Sequence, residues 1–186
     1  MQRLYGDNIM KTIWFCGNDE KTLITIAEFV GEELINRDKL VELIVESEIK
    51  EILGRGLKDT PEDKATFADR LGFLGNLLHR NNIFALVVSN NAALNDRKVV
   101  KESYKNYMQV EACPAEGEAR QGRHGKPSGD PLCDLALDIK DDLKTNAKKI
   151  IELLIKERLI PEQAQEVYSK EEEEEIRRRL EDLGYV

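Results

Sequence analysis

The chain has few of the side chains from which metal sites and disulfide frameworks are built. It contains three cysteines and two histidines in 186 residues. Cys16, Cys113 and Cys133 are isolated and fit no C-x-x-C spacing, and His79 and His124 stand far apart. We therefore expect reduced structural thiols and no metal site.

The sequence also lacks long apolar runs and a surplus of positive charge. No run approaches the roughly 20 apolar residues that a transmembrane helix needs, and the first residues show no apolar segment typical of a signal peptide. The formal net charge is −8, which argues against nucleic-acid and anionic-membrane surfaces because both require clustered cations. We therefore expect a cytoplasmic protein that binds neither nucleic acid nor membrane.

What the sequence does contain is an alternation of apolar strands and amphipathic helices. Strands are predicted at Thr12–Cys16, Leu40–Val45, Ile83–Ser89, Met108–Ala112 and Cys133–Asp138. Helical patterns between them are typical of βαβ units, which form a parallel sheet with right-handed crossovers. The length suffices for one α/β domain with a substantial core.

Several helix boundaries are marked by capping residues. Thr60 followed by Pro61 predicts an N-cap with proline at the first helical position. Asn95 is predicted to cap a helix that runs through Tyr107, and apolar spacing predicts a further helix over about residues 142–158.

A strand, a glycine turn and a helix start follow one another near the beginning of the chain. That arrangement binds nucleotide phosphates when the turn reads G-x-x-x-x-G-K-[ST]. Here Thr22, Leu23 and Ile24 stand at the second glycine, the lysine and the hydroxyl position, so Asp19 and Glu20 would face a phosphate with no cation behind them. The pattern predicts a degenerate phosphate loop. Its residues are Gly17, Asn18, Asp19, Glu20, Lys21, Thr22, Leu23, Ile24 and Thr25.

Two stretches in the first third of the chain align with known motifs. The loop T-G-L-S-G-A-G-K-[ST]-T-I-A aligns without a gap with residues 16–27, and the matching residues are Gly17, Thr25, Ile26 and Ala27. The motif V-x-L-L-D-G-D-x-[VI]-R-x-x-L aligns with residues 41–53, where Val45 and Ser47 replace its two aspartates. The apolar frame of both motifs is kept, and most of their polar residues are not.

Two later motifs keep part of their charged residues. E-D-R-x-x-N-[IL]-x-R-[IL]-G aligns with residues 62–72, with Phe67 at its asparagine. The residues that match are Glu62, Asp63, Arg70 and Gly72. S-P-Y-R-x-x-R aligns with residues 91–97 and keeps only Arg97. On these motifs the chain resembles the adenylylsulfate (APS) kinases over most of its length.

The lid motif of that family, R-D-x-K-G-L-Y, is not recognisable. By order along the chain its place is taken by residues 114–131, which are rich in glycine and proline and are predicted to form a loop. The basic residues of this candidate residual lid are Arg120, Arg123 and Lys126.

The resemblance implies a fold and a division of the chain. The fold would be a three-layer α/β P-loop kinase-like domain with a five-stranded parallel sheet in the order 2-3-1-4-5. The domain would cover residues 1–160, and residues 161–186 would form an acidic C-terminal helical extension.

The resemblance also implies a function, because the fold is kept while the working residues are replaced. The chain would be a degenerate APS-kinase-like protein without catalytic residues or a cofactor, serving as a regulatory, nucleotide-sensing or assembly module related to sulfate activation. Arg70 and Arg97 are the candidates for sulfonucleotide binding. The expected partners are a weakly bound adenine nucleotide or sulfonucleotide, ATP sulfurylase or an active kinase, and a second copy in a homodimer.

Two other functions stay open at this point. The chain would be an active kinase for APS or a related nucleotide if Lys21, a lid arginine or a partner's residue supplied the missing cation, and it would then use Mg·ATP. It would be a ligand-free scaffold if only its dimer surface and acidic tail matter.

Overall fold

The structure is a computed structural model of the chain. It describes residues 11–17, 19–90, 92–104, 106–113, 132–162, 175 and 177–181. The candidate lid residues Arg120, Arg123 and Lys126, and Asn18 of the candidate phosphate loop, lie outside the described residues.

Strands and helices alternate along the described part of the chain. The strands are β1 (Thr12–Gly17), β2 (Leu40–Val45), β3 (Ile83–Val88), β4 (Tyr107–Cys113) and β5 (Leu135–Asp138). The helices are α1 (Glu20–Ile35), α2 (Glu46–Leu53), α3 (Pro61–Arg80), α4 (Leu94–Ser103) and α5 (Leu143–Lys156). Residues 175 and 177–181 of the C-terminal segment are also helical.

The five strands form one parallel sheet in the order β2-β3-β1-β4-β5, which confirms the predicted fold and strand order. The central strand β1 lies between β3 and β4, with Phe15 opposite Val88 and Gly17 opposite Ala112. Because all strands run in the same direction, their carboxyl ends meet at one edge. That edge is where open α/β sheets bind their ligands.

The two faces of the sheet are covered by different helices, which makes three layers. On one face, Ile13 and Phe15 of β1 belong to a buried apolar cluster with residues of α1 and α5. On the other face, Trp14 and Cys16 pack with Leu71 of α3 and Val100 of α4. Successive side chains of β1 are buried on opposite faces of the sheet because side chains alternate in direction along a strand.

Capping residues explain where α3 begins. The Thr60 side chain accepts from the backbone N–H of Asp63 at 3.2 Å, and Pro61 is the first residue of α3, as predicted. Within the described residues, no helix is both long and apolar enough to cross a membrane.

Both predicted boundaries of the helix before β4 are wrong. The N-cap of α4 is Ala93, which makes no side-chain capping bond, and the helix ends at Ser103. Asn95 is therefore the second residue of α4, and Tyr107 begins β4. Tyr107 leaves the helical pattern because its ring is buried against Trp14, with ring centroids 5.6 Å apart.

The last strand also starts later than predicted, at Leu135. Asp134 precedes it and exchanges two bonds with Gln109: its backbone N–H donates to the Gln109 carbonyl at 2.9 Å, and its carboxylate accepts from the Gln109 N–H at 2.7 Å. The Asp134 carboxylate thus takes the place of a backbone carbonyl as the acceptor for Gln109. Cys133, the predicted first residue of the strand, lies before it.

Candidate functional site

The junction between β1 and α1 is shorter than a phosphate loop. Gly17 ends β1 and Glu20 begins α1, so only residues 18 and 19 lie between the strand and the helix. The first helical bond runs from the Leu23 N–H to the Asp19 carbonyl at 3.1 Å. Most of the residues of the candidate phosphate loop are therefore the first turns of a helix.

Asp19 caps this helix with its own carboxylate. One carboxylate oxygen accepts from the backbone N–H of Lys21 at 3.2 Å, and the other accepts from the Thr22 hydroxyl at 2.6 Å. The hydrogen bond from the Thr22 hydroxyl lowers the pKa of Asp19 below its ordinary value of 3.8. The backbone N–H groups of Lys21 and Thr22 lower this pKa further, and partial desolvation of the carboxylate opposes them. A negative charge of the protein therefore lies at the helix N-terminus, where a phosphate would bind.

The lysine position of the loop faces the core. Leu23 is 1% exposed and belongs to the same apolar cluster as Ile13 and Phe15. Ile24, at the hydroxyl position, is half-buried and packs against that cluster. Neither side chain is able to neutralise a phosphate or bind a metal ion.

The glycine that the loop retains is required by packing. A Cβ atom at Gly17 would lie 2.4 Å from the carbonyl oxygen of Ala112 on the neighbouring strand β4. Real Cβ atoms do not approach a backbone oxygen this closely, so any larger residue would push β1 and β4 apart. Gly17 is explained without a bound phosphate.

The second altered motif lies at the β2–α2 junction, and a hydrogen bond links it to the β1–α1 junction. Val45, at the first aspartate position, is buried at the end of β2. Ser47, at the second, donates its hydroxyl to the carboxylate of Glu20 at 2.8 Å. Helices α1 and α2 are thus linked at their N-termini by Glu20, which stands at a glycine of the first motif, and Ser47, which stands at an aspartate of the second.

A cavity of about 500 Å³ lies next to these junctions, at the carboxyl ends of β2 and β3 and between α2 and α3. Among the residues that the structure describes, charged, polar and apolar side chains all line this cavity. The lining residues are Glu46, Lys50, Glu51, Gly54, Leu57, Lys58, Asp59, Asp63, Lys64, Phe67, Ala68, Leu71, Ser89 and Ala92. We call it the α2–α3 cavity; its volume is within the usual range for small-molecule sites.

The floor of the α2–α3 cavity holds a buried polar pair. Glu46 is 2% exposed and Ser89 is 1% exposed. The Ser89 hydroxyl donates to the Glu46 carboxylate at 2.5 Å, and the Ser89 backbone N–H donates to the Phe15 carbonyl at 3.0 Å. Strand β1 therefore fixes the serine that in turn orients the glutamate.

Charged side chains of both signs surround the mouth of the cavity. The ammonium group of Lys64 lies 3.2 Å from the carboxylate of Asp59. The carboxylate of Asp63 accepts from the Lys58 backbone N–H at 2.9 Å and from a threonine hydroxyl of the helix cap at 3.0 Å. Lys50 is exposed on α2 and contributes a further cation.

The two candidate sulfonucleotide-binding arginines contact other parts of the fold. The Arg70 guanidinium donates to the carbonyl oxygen of Leu53, at the end of α2, at 2.6 Å. Arg97 is 1% exposed, and its guanidinium donates to the Cys16 sulfur at 3.6 Å. Neither is among the residues described as lining the α2–α3 cavity.

A sequence-based family model decides the relationship. The model for adenylylsulphate kinase matches residues 10–123, which is more than half of the chain. The chain belongs to the adenylylsulfate kinase family.

Individual relatives are similar over a shorter stretch. The adenylyl-sulfate kinase of Deinococcus deserti is 30% identical over 100 residues, which is 54% of this chain and 55% of that protein. The adenylyl-sulfate kinase of Gloeothece citriformis is 28% identical over 99 residues, with 53% and 56% covered. The chain spans about half the length of the curated relatives it matches.

Solved structures of APS kinases share the fold at low sequence identity. The APS kinase of Mycobacterium tuberculosis in complex with AMPPNP and APS superimposes with a TM-score of 0.64 at 18% identity, covering 78% of this chain and 98% of the other. A hexameric APS kinase from Thiobacillus denitrificans gives a TM-score of 0.59 at 14% identity, covering 82% of this chain and 30% of the other.

Two residues of the site were missed or unplaced by sequence reasoning. Glu46 stands at the glycine of the motif V-x-L-L-D-G-D, and Ser89 is the last residue of the predicted strand Ile83–Ser89. A signal existed for both, because each directly follows the last residue of a strand, Val45 and Val88. Polar residues at that point lie at the ligand-binding edge of a parallel sheet.

The helix cap at Asp19 has a testable pH dependence. Asp19→Ala should lower the free energy of unfolding by about 1 kcal/mol at pH 7, the usual cost of a lost N-cap. The folded-state pKa of Asp19 lies below 3.8, so its contribution is present above that pH and is lost as the pH falls through the folded pKa. Urea unfolding of both proteins at several pH values measures the difference, which should shrink in acid.

Asp19→Asn is the matched control for that experiment. Its amide oxygen accepts the same backbone bond, so the cap is kept while the titrating charge is removed. A loss as large for Asp19→Asn as for Asp19→Ala would show that charge, and not capping geometry, is what Asp19 contributes.

Proposed function

We propose that this chain is a non-catalytic member of the APS kinase family that acts as a regulatory, nucleotide-sensing or assembly module related to sulfate activation. One observation carries the proposal: α1 begins at Glu20, and the carboxylate of Asp19 occupies its N-terminus. The backbone N–H of Lys21, one of the groups that would face a phosphate there, is used by the protein itself.

The charges at the junction support the same proposal. Phosphoryl transfer depends on positioning and on neutralising the charge of the transferred group. Asp19 and Glu20 place two carboxylates at this point, and Leu23 is buried at the lysine position. Since two negative charges replace the expected cation, we propose that no Mg·ATP binds at this junction and that the chain needs no cofactor.

The α2–α3 cavity favours a ligand-sensing role over a scaffold without a ligand. It is a formed concave site with a buried polar floor at the ligand-binding edge of the sheet. Binding of an adenine nucleotide or a sulfonucleotide through Arg70 and Arg97 stays a prediction. Their present contacts, with Leu53 and Cys16, support a structural role instead.

The partners proposed for this module follow from the family relationship. We propose a homodimer that associates with ATP sulfurylase or with an active kinase of the pathway. Light scattering of the full chain, alone and mixed with each candidate, tests the assembly.

An activity measurement tests the proposed loss of catalysis. The full chain is incubated with APS and Mg·ATP, and ADP release is followed with and without APS. We expect no APS-dependent ADP release, while the Deinococcus deserti relative, tested as the positive control under the same conditions, should show it. APS-dependent ADP release by this chain would overturn the proposal.

Thermal unfolding with nucleotides tests the sensing part separately. A ligand present at about 100 times its Kd stabilises the folded state by roughly 2.7 kcal/mol. We expect an adenine nucleotide or a sulfonucleotide to raise the Tm without turnover. No shift with Mg·ATP, ADP, APS or 3′-phospho-APS would remove the nucleotide-sensing role and leave assembly.

A further inference from the structure

An apolar groove lies open beside the second half of α3, on the face of the sheet that carries Trp14. We propose that this groove, the α3–β2 groove, is the docking site of the chain's own C-terminal helix. Its residues come from α3 and from the start of the edge strand β2: Leu40, Leu74, Leu77 and Leu78. The inference names an interaction surface and its occupant, and it does not depend on whether the chain has catalytic activity.

The α3–β2 groove is open because α2 lies beside only the first half of α3. The Arg70 guanidinium, at the middle of α3, donates to the carbonyl oxygen of Leu53, the last residue of α2, at 2.6 Å. A Cβ atom at Gly54, the next residue, would lie 3.5 Å from the Phe67 ring. Helix α2 therefore ends opposite Phe67 and Arg70, and residues 71–80 of α3 extend beyond it.

One side of the groove is a row of leucines on α3. Leu74 and Leu78 follow Phe67 by seven and eleven residues, so they lie on the same stripe of the helix, toward the side where α2 has ended. Both are half-buried and pack against the cluster that contains Trp14. Leu77, next to Leu74 on the helix surface, is 41% exposed. The second half of α3 thus presents apolar surface that extends beyond α2.

The other side of the groove is the first residue of the edge strand. Leu40 begins β2 and is 63% exposed. It lies on the same face as Ile44, because side chains an even number of positions apart along a strand point to one side, and Ile44 is buried in the cluster with Leu71 of α3. Leu40 is paired with Ile83, which follows the end of α3 by three residues. Leu40 and the leucines of α3 therefore lie on one face of the sheet, at the end where the strands begin.

The C-terminal segment leaves the core at this same end of the sheet. Helix α5 packs beside α1, and the chain after α5 is buried at Ile160 in the cluster that also holds Leu34 of α1. The Lys39 N–H, one residue before Leu40, donates to the Leu34 carbonyl at 3.0 Å. The twelve residues 163–174 span up to about 40 Å when extended, several times the roughly 8–10 Å between packed helices. The helix that follows them is therefore able to reach the groove of its own chain.

The C-terminal helix carries an apolar stripe of its own. Ile176, Leu180 and Leu183 recur at helical spacing, and charged residues occupy the positions between them. Residues 175 and 177–181 are helical, with Leu180 39% exposed. Because isolated helices of about 12–15 residues are marginal in water, such a helix is stabilised mainly by burying its apolar stripe. The α3–β2 groove offers four leucines for this contact.

The charges along the two surfaces match in one orientation. Lys39 and Arg80 are exposed at the end of the groove where the strands begin, and among the described residues neither makes an ion pair. Glu42, two positions further along β2, is also exposed. Along the C-terminal segment, the glutamates at 171–175 precede the arginines at 177–179. The acidic stretch therefore meets Lys39 and Arg80, and the arginines lie toward Glu42, with the helix antiparallel to α3.

Amide hydrogen exchange of the full ¹⁵N-labelled chain measures docking. The amides of Leu180 and Glu181 exchange slowly while their helix is docked and fast when it is free. Leu77→Glu places a charge in the groove and should speed exchange at these two amides at least about 10-fold, because the burial of a leucine side chain contributes this much or more.

Val99→Glu is the matched control for that measurement. Val99 is 54% exposed on α4, so the same charge enters a helix surface outside the groove. Exchange at Leu180 and Glu181 should stay within about twofold of the wild type, as for a surface substitution that touches neither partner. Thermal unfolding shows that the Leu77→Glu and Val99→Glu proteins are both folded during the measurement.

The reciprocal change and a dilution series identify the groove and its occupant. Leu180→Ser removes apolar surface from the helix, so the amide shifts of Leu40 and Leu77 should change while that of Val99 should not. A helix docked in its own chain keeps the same exchange rates over a dilution of about 20-fold, because the linker holds its effective concentration constant.

Three outcomes would overturn the inference: an effect of Leu77→Glu no larger than that of Val99→Glu, unchanged shifts at Leu40 and Leu77 in Leu180→Ser, or exchange that quickens on dilution. The last would make a second copy of the chain the occupant. APS-dependent ADP release would instead remove the proposed non-catalytic function and leave the docking standing, so the two failures are distinguishable.

Discussion

We expect Gly17→Ala to lower the free energy of unfolding by about 3 kcal/mol, the upper part of the range for overpacking a core. The added Cβ would lie 2.4 Å from the backbone oxygen of Ala112, which cannot move aside as a side chain would. Strands β1 and β4 would have to separate at the sheet's centre. Urea unfolding of the two proteins without any nucleotide measures the loss.

Gly31→Ala is the matched control, because it makes the same change within α1. A Cβ atom at Gly31 would lie 3.5 Å from Leu86 and 3.7 Å from Val41, which are ordinary contacts. Alanine is also the better helix former, so stability should be unchanged or higher by up to about 1 kcal/mol. If Gly17→Ala were as stable as Gly31→Ala, Gly17 would need another explanation, and a ligand contact would be the first candidate.

The second large effect is expected for Leu23→Lys, which restores the lysine of the family motif. Leu23 is 1% exposed and lies among apolar side chains beneath the sheet. A buried ammonium group without a partner costs roughly 3–5 kcal/mol, so the variant should be strongly destabilised. It should also remain inactive with APS and Mg·ATP, since α1 still begins at Glu20 and Asp19 still caps it.

Leu23→Met keeps the volume and apolar character of the side chain and serves as the control. It should cost less than about 1.5 kcal/mol in the same urea titration. A Leu23→Lys protein with near-wild-type stability would show that the lysine reaches solvent at the helix N-terminus. Phosphoryl transfer by that variant would contradict the proposal that the junction itself has lost the phosphate site.

Both predictions describe the β1–α1 junction as a packed part of the core. The one glycine kept from the phosphate loop is explained by its contact with β4, and the lysine position is explained by the apolar cluster. The link from Ser47 to Glu20 extends this structural role to the second altered motif. Residues at these motif positions here contact other parts of the protein.

Several features of the chain could be predicted because they depend on local chemistry. The α3 start at Thr60 and Pro61 follows from hydrogen bonds within one turn of helix, and the apolar run from Ile83 follows from burial on both faces of a parallel strand. The loss of the lysine and the aspartates is readable directly from Leu23, Val45 and Ser47. The strand order came from the family resemblance, since periodicity alone indicates only a parallel α/β fold.

The tertiary structure decided what those residues do. The helix start at Glu20 could not be read from the sequence, because Asp19 is equally compatible with a turn. Glu46 and Ser89 are 43 positions apart and meet only because β2 and β3 are neighbours in the sheet. Such contacts depend on the packing of distant segments. The sequence therefore determined the fold and the absence of the phosphate-binding side chains, and only the packed sheet determined that a buried carboxylate forms the floor of the remaining cavity.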